Sequence, residues 1–353
     1  MRIVKLPKKK LFSFLEVITV KTDLWAPVKK NEDKHVFKQV EDFSQIDLDY
    51  TRTILPPKKI LLPPAINMFK ASEKSYQEDF SHVSPRILFG VHPCDIHGLL
   101  IMDRFYSFIF DDPYYLKARE NMLILGHSCW PDENCLCASV RTHVVEEGYD
   151  LFFTDLEDYY LVWIGSSRGD DLIRAKTELF DENILDKDIQ RFIRWREERD
   201  ASFQSEINFS AMPDLMELKY NDVIWERLGD ACLGCGSCSS VCPTCNCYNV
   251  LDKPTLGEAA SDIARCWDSC TLENYSEVAG GENFRKKRSD RLKLFYTHKL
   301  HAYISKYGKP ACVGCGRCIV TCPVDINVKT VAHTLDGEQV DSFWNRFHQE
   351  VRK

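Results

Sequence analysis

Apolar positions in the first two hundred residues fall in short runs. Ile87-Leu-Phe-Gly-Val91 is continuous and partly β-branched, the pattern of a strand buried on both faces. Met122-Leu-Ile-Leu125 repeats it, and residues 150–153 and 159–164 add two more strands around an acidic turn at 154–158, closed by Gly165. Ile96, Leu99, Leu100, Phe105 and Phe108 to Phe110 recur at helical spacing and predict a helix over 96–110. A short helix is expected over 12–20 and a long, charged one over 172–203. Pro56-Pro57 and Pro63-Pro64 flank 58–62, which reads as an extended connector. Alternating strands and helices predict an α/β domain over 1–215.

Beyond Met212-Pro213 the pattern changes. Trp225 to Leu228 leads into a cysteine-rich stretch, and 256–270 and 283–307 read as helices, the second with basic Arg285 to Arg288 near its start. That basic stretch reads as a solvated helix face rather than a docking site. From Asn327 the chain is polar, with one more helix. The expectation is an all-α, α-helical ferredoxin-like domain over 216–335, then a polar tail over 336–353.

Composition changes little: 44% hydrophobic and 28% charged residues are those of an ordinary globular chain of two or three domains. A net charge of −7 gives no basic excess to point to nucleic acid. The longest apolar runs are far too short to span a bilayer. The basic start is followed by no uninterrupted apolar stretch, so no signal peptide is read. Sixteen Cys do change the picture. Without a secretion signal, thiols stay reduced and metal ligation is favoured over disulfides. The location inferred is the cytoplasm, in an anaerobe, because exposed cubanes are lost to oxygen.

Half of these cysteines form two runs. Cys232-Leu-Gly-Cys235-Gly-Ser-Cys238-Ser-Ser-Val-Cys242-Pro243 and Cys312-Val-Gly-Cys315-Gly-Arg-Cys318-Ile-Val-Thr-Cys322-Pro323 share the spacing C-x2-C-x2-C-x3-C-P. This is the bacterial ferredoxin spacing for a [4Fe–4S] cluster, in which the fourth Cys ligates the other cluster of a two-cluster protein. Three thiolates at intervals of three wrap one face of a cubane. A zinc site or a pair of disulfides competes, but zinc sites use two separated Cys pairs rather than one dense run. Two [4Fe–4S] clusters are therefore expected.

A further set is Cys94, Cys129, Cys135 and Cys137. Cys94 follows the strand ending at Val91, and Cys129 follows the strand beginning at Met122. If those strands are parallel neighbours, both loops open on one carboxyl edge, where open α/β sheets place their sites. Four thiols there could hold a third [4Fe–4S] cluster; plain buried thiols and zinc are the competing readings. Cys245 and Cys247 follow the first Cys-Pro and could ligate or line a cluster. Cys266 and Cys270 read as one helix face, with Cys266 as packing and Cys270 as packing near a cluster. His92, His97 and His127 read as satisfying loop carbonyls rather than tuning a cluster, and Asp95 as the cap of the following helix. Gly165-Ser-Ser-Arg-Gly169 matches no phosphate-binding fingerprint, so no nucleotide site is read.

The sequence resembles the beta subunit of cytoplasmic NAD(P)-linked [NiFe] hydrogenases of the sulfhydrogenase type, which is related to an electron-transfer subunit of anaerobic sulfite reductase. The resemblance rests on stretches along almost the whole chain: Tyr50-Thr-Arg-Thr-Ile-Leu-Pro-Pro-Lys-Lys59, Phe89-Gly-Val-His-Pro-Cys-Asp95, Asp112-Pro-Tyr-Tyr115, Cys129 through Cys137, Cys242-Pro-Thr-Cys245-Asn-Cys247, Trp267-Asp-Ser-Cys270, Gly280-Gly-Glu-Asn-Phe284 and the second cysteine run. It implies an iron–sulfur electron-transfer subunit without a substrate site. The implied partners are the small and large subunits of a [NiFe] hydrogenase, together with a flavin- and NAD(P)-binding subunit. The alternative partner is a sirohaem sulfite reductase catalytic subunit. An enzyme with its own flavin or substrate site in the N-terminal domain is the remaining alternative.

Overall fold

The computed structural model describes residues 2–254, 260–344 and 346. Two compact units result. One comprises the described residues to Pro63 with Phe80–Gln204; the other comprises Pro64–Asp79 with the described residues from Ser205 onward.

The first unit is built on seven of the strands. They are β1 (Arg2–Pro7), β2 (Asp23–Asn31), β3 (Lys34–Gln39), β6 (Arg86–Val91), β7 (Met122–His127), β8 (Leu151–Asp155) and β9 (Tyr159–Ile164). The second unit holds β4 (Ala65–Ser72), β5 (Tyr76–Glu78), β10 (Tyr248–Pro254) and β11 (Ala260–Trp267). The seven-stranded sheet has the order β1-β9-β8-β7-β6-β2-β3. Its centre is parallel, β2 to β6 to β7 to β8, and both edges are antiparallel. This is the mixed sheet of an α/β domain, with antiparallel hairpins blunting a parallel core. One face packs on the helix Leu11–Ile18 through Leu11, Phe14 and Leu15; the other packs on Pro93–Ser107 through Ile96, Leu99 and Met102.

Several expectations shift for physical reasons. The helix expected over 96–110 is Pro93–Ser107, because Pro93 occupies its first turn, where its missing N–H costs nothing. Asp95 therefore does not cap it: His92 is the N-cap residue, and Asp95 lies within the first turn. The connector at 58–62 is a helical turn, Lys58–Leu61, started by Pro57 with Ile60 and Leu61 buried. The long helix over 172–203 is two helices, Ser167–Arg174 and Asp186–Ala201. The chain breaks between them because Asp181 exchanges backbone hydrogen bonds with Lys5 on the edge strand β1, at 2.8 and 2.9 Å, while Phe180 packs edge-on to Phe14.

The expectation of an all-α second domain is corrected. Its helices enclose the cysteine runs, but a four-stranded antiparallel sheet, β10-β11-β4-β5, belongs to the same unit. The helix read over 256–270 is β11 from Ala260; residues 255–259 lie outside the described residues. The partners decide this. β11 is central, hydrogen-bonded on one side to β10 and on the other to β4, and Ala264 is fully buried. The helix read over 283–307 begins at Arg288 and carries a π-helical turn, His298–Ala302. It packs against Ile224–Ala231, where a Cβ on Gly229 would lie 2.6 Å from the Ser289 amide nitrogen. Among the described residues no helix is long and apolar enough to cross a membrane.

Candidate metal centres

The two cysteine runs adopt one local structure twice. In the first, Gly234 and Gly236 take φ of 64° and 72°; in the second, Gly314 and Gly316 take 64° and 73°. Those left-handed turns let the chain curl between successive cysteines, which side chains with a Cβ resist. Gly236 and Gly316 then start the short helices Ser237–Ser240 and Arg317–Thr321, which carry the third cysteine of each run. The backbone N–H of Gly234 points at Cys232 Sγ (3.3 Å) and that of Gly314 at Cys312 Sγ (3.4 Å). Amides aimed at sulfur stabilise thiolate charge.

The fourth cysteine of each run acts electrostatically on thiols of the other. Burial, then the nearby thiols of Cys232, Cys322, Cys235 and Cys242, pushes Cys238 up to about 12. Burial raises Cys322 as well, with Cys232 and Cys235 adding to the rise. Cys312 is pushed up to about 12 by burial first, with Cys242 and Cys315 adding to it, and Cys318 is raised by burial and by Cys312, Cys315 and Cys242. Cys322 thus acts on thiols of the first run, and Cys242 on those of the second as well as on Cys238 of its own. Cys235 differs: burial raises it, but hydrogen bonds with Ser237 outweigh that and lower it. Crowded, buried thiols that resist ionising as free groups are what cationic iron compensates, since metal binding displaces their protons. The donor set therefore fits an iron–sulfur group.

In the first unit β6 and β7 are parallel neighbours, so the loops after them open on the same edge. Cys94 lies in the first turn of Pro93–Ser107, and Cys129 lies just beyond β7. Cys135 and Cys137 are buried in the following loop. The other three all act on Cys137: it is raised by a hydrogen bond with Cys135, by burial and by Cys94 and Cys129, while burial pushes Cys129 to about 12. Arg52 braces the loop. It donates to Asp132 at 2.6 Å and to Cys135 Sγ at 3.4 Å. Sequence reasoning missed Arg52, whose signal was its place inside the Tyr50–Lys59 stretch. His92 stacks on Tyr50 at 4.0 Å and bonds the Thr51 carbonyl (3.2 Å); His97 bonds that of Val144 (2.8 Å). His127 lies buried, edge-on to Tyr160, and burial lowers it to about 4. Beside Cys129 opens a cleft of about 1080 Å³ lined by Trp130, Tyr160, Arg191 and Trp195.

The remaining thiols lie in the second unit. Cys247 and Cys270 hydrogen-bond one another, and Tyr275 also bonds Cys247, lowering it to about 6. Cys266 stands on β11 opposite Asn249 and Ala65, outside both runs.

Two repeated thiol turns of this spacing define an iron–sulfur protein of the ferredoxin class. Residues 231–326 match the family model described as a 4Fe-4S dicluster domain. Over 342 residues, 96% of this chain and 99% of the relative, the sequence is 37% identical to Sulfhydrogenase 2 subunit beta of Pyrococcus furiosus. The chain belongs to the sulfhydrogenase beta-subunit family, and its role is that of an iron–sulfur electron-transfer subunit.

Proposed function

We propose that Cys232, Cys235, Cys238 and Cys322 hold one [4Fe–4S] cluster, that Cys312, Cys315, Cys318 and Cys242 hold a second, and that Cys94, Cys129, Cys135 and Cys137 hold a third. What supports the first two is the electrostatic influence of Cys322 on Cys238 and of Cys242 on Cys312. The third is supported by the convergence of four thiols at a parallel-sheet edge.

When bound, each cluster supplies a one-electron couple. The chain's own residues shape it: the Gly234 and Gly314 amides aim at sulfur, burial excludes water, and Arg52 and Lys299 bring positive charge to individual thiols. In this reading the protein relays electrons in the cytoplasm between a flavin subunit that reacts with NAD(P)H and a [NiFe] hydrogenase core. Iron and sulfide analysis with EPR of the reduced chain tests it. About twelve irons support three clusters. About eight remove the third, and zinc in place of iron rejects the proposal. A co-purifying large subunit that bears nickel supports the hydrogenase partner; a sirohaem protein in its place overturns it.

The cleft beside Cys129 favours one second reading, that the first unit binds a flavin of its own. Flavin absorbance that stays with the isolated chain through gel filtration would establish it.

A further inference from the structure

Lys299 sits on the only π-helical turn among the described residues, His298–Ala302. Such turns insert a residue into a helix and often mark functional sites. The residue is 7% exposed, and its ammonium is aimed at a sulfur: Nζ donates to Cys242 Sγ at 3.2 Å and to Thr244 Oγ1 at 3.1 Å. Thr244 in turn donates to the Ala311 carbonyl and lies 3.2 Å from Cys242 Sγ. The Ala311 N–H donates to the Lys299 carbonyl at 2.9 Å, one residue before Cys312. Lys299 is therefore tied by its side chain to the last cysteine of the first run, and by its main chain to the start of the second.

A buried ammonium without compensation is expensive. Lys299 is compensated by its two acceptors, Cys242 Sγ and Thr244 Oγ1. The other four-cysteine set has no equivalent among the described residues. The cations nearest Cys232 are Arg288 and Arg291; Arg291 directs its N–H groups to the carbonyls of Thr271, Arg285 and Lys286, and Arg288 is exposed.

We propose that Lys299 is a tuning residue that raises the reduction potential of the cluster bound through Cys242, making it the higher-potential member of the C-terminal pair. The proposal rests on the cluster reading above. Its physics is direct. Accepting one electron adds one negative charge to the cluster, and a fixed positive charge bonded to a ligand sulfur stabilises the reduced form more than the oxidised one. An electron arriving at the pair then rests beside Lys299.

The test is an EPR-monitored redox titration of the full chain carrying its clusters. Cys242→Ser identifies which signal belongs to this cluster. In Lys299→Met and Lys299→Gln, the partition of an electron between the two C-terminal clusters should move at least tenfold away from the Cys242 cluster. For a one-electron couple that is about 59 mV. Lys299→Arg, which keeps the charge, should stay near the wild type. Neutral variants that keep their iron and both midpoints overturn the proposal. So does an equal shift in both clusters, or an Arg variant that shifts as far as Met. Loss of iron from both neutral variants would overturn it too, since Lys299 would then be an assembly residue. A wild-type chain without two C-terminal cubanes would instead fail the underlying cluster reading, and the iron count separates the two failures.

Discussion

The eight C-terminal thiols and the four N-terminal ones reach their places by different routes. Each C-terminal run is a local object. Its spacing, its two left-handed glycines and its short helix are written within eleven residues, and the second run repeats the first to within about a degree of φ. Only the fourth cysteine depends on the fold. The N-terminal set has no such script. Cys94 and Cys129 meet because β6 and β7 are adjacent and parallel, and Cys135 and Cys137 meet them because Arg52 and Asp132 hold the intervening loop. Short-range spacing can specify a metal centre without the rest of the domain. A centre assembled from sheet topology stands or falls with the sheet.

The largest effect tests the crossing. If Cys242 serves the second run, Cys242→Ser with Cys312→Ser damages one cluster, whereas Cys242→Ser with Cys232→Ser damages two. Iron analysis should find the second pair short by about eight irons and the first by about four. The reverse order, about eight irons lost in the first pair and about four in the second, would show that each run keeps its own fourth cysteine.

The next effect is half that size and lies in the other region. If all four thiols serve one group, Cys94→Ser and Cys135→Ser should each remove about four irons, and their combination no more than either alone. Iron content that stays at the wild-type level would return these cysteines to the class of buried free thiols.

How much of this was legible follows the same division. The two runs, the strands β6 to β9 and the parallel edge could be read because each depends on residues close in sequence. The sheet of the second unit could not. β11 pairs with β4, which lies nearly two hundred residues earlier among N-terminal residues, so nothing near Ala260–Trp267 indicates its partner. Helical spacing was then the better local account of a segment whose hydrogen bonds are non-local. The role of Arg52 was not legible for the same reason. Its meaning comes from Cys135 and Asp132, which only the fold brings to it. The break near Phe180 likewise needed knowledge of where β1 runs.

A smaller effect separates the regions by stability. Asp188 joins the helix Asp186–Ala201 to the edge of the first unit's sheet: it accepts from Lys5 Nζ at 2.9 Å, from the Tyr159 hydroxyl at 2.7 Å and from the Leu185 amide at 3.0 Å. Burial works to raise this carboxyl, but those donors prevail and lower it from 3.8 to about 2. A depressed folded value means stabilisation that is full above pH 3.8 and lost as the pH falls through about 2. It amounts to about 2 kcal/mol. Asp188→Asn should remove most of that at pH 7 and lower the thermal transition of the first unit by about 4–8 °C. If the third cluster depends on the sheet, its iron should be released at a lower temperature in this variant, while the EPR signals of the C-terminal pair persist unchanged. Simultaneous loss of all three would erase the distinction between a centre made by spacing and one made by topology.

The smallest effect concerns Cys266, which belongs to neither set. It stands on β11, opposite Asn249 on β10 and Ala65 on β4, and is half-buried. A serine there keeps the size and the strand hydrogen bonds, which belong to the backbone, and exchanges a weakly polar sulfur for a hydroxyl with partial access to water. Surface and half-buried changes of this kind fall within about 0.5–1 kcal/mol. Cys266→Ser should therefore leave both iron content and cluster potentials at wild-type values, with the unfolding midpoint moved by no more than a few degrees. The result bears on the other thiols as well. If this cysteine, set on a strand outside both runs, proved necessary for iron, then proximity among thiols would not be the criterion that separates ligands from packing. The assignment of Cys94, Cys129, Cys135 and Cys137, which rests on proximity, would then lose its main support.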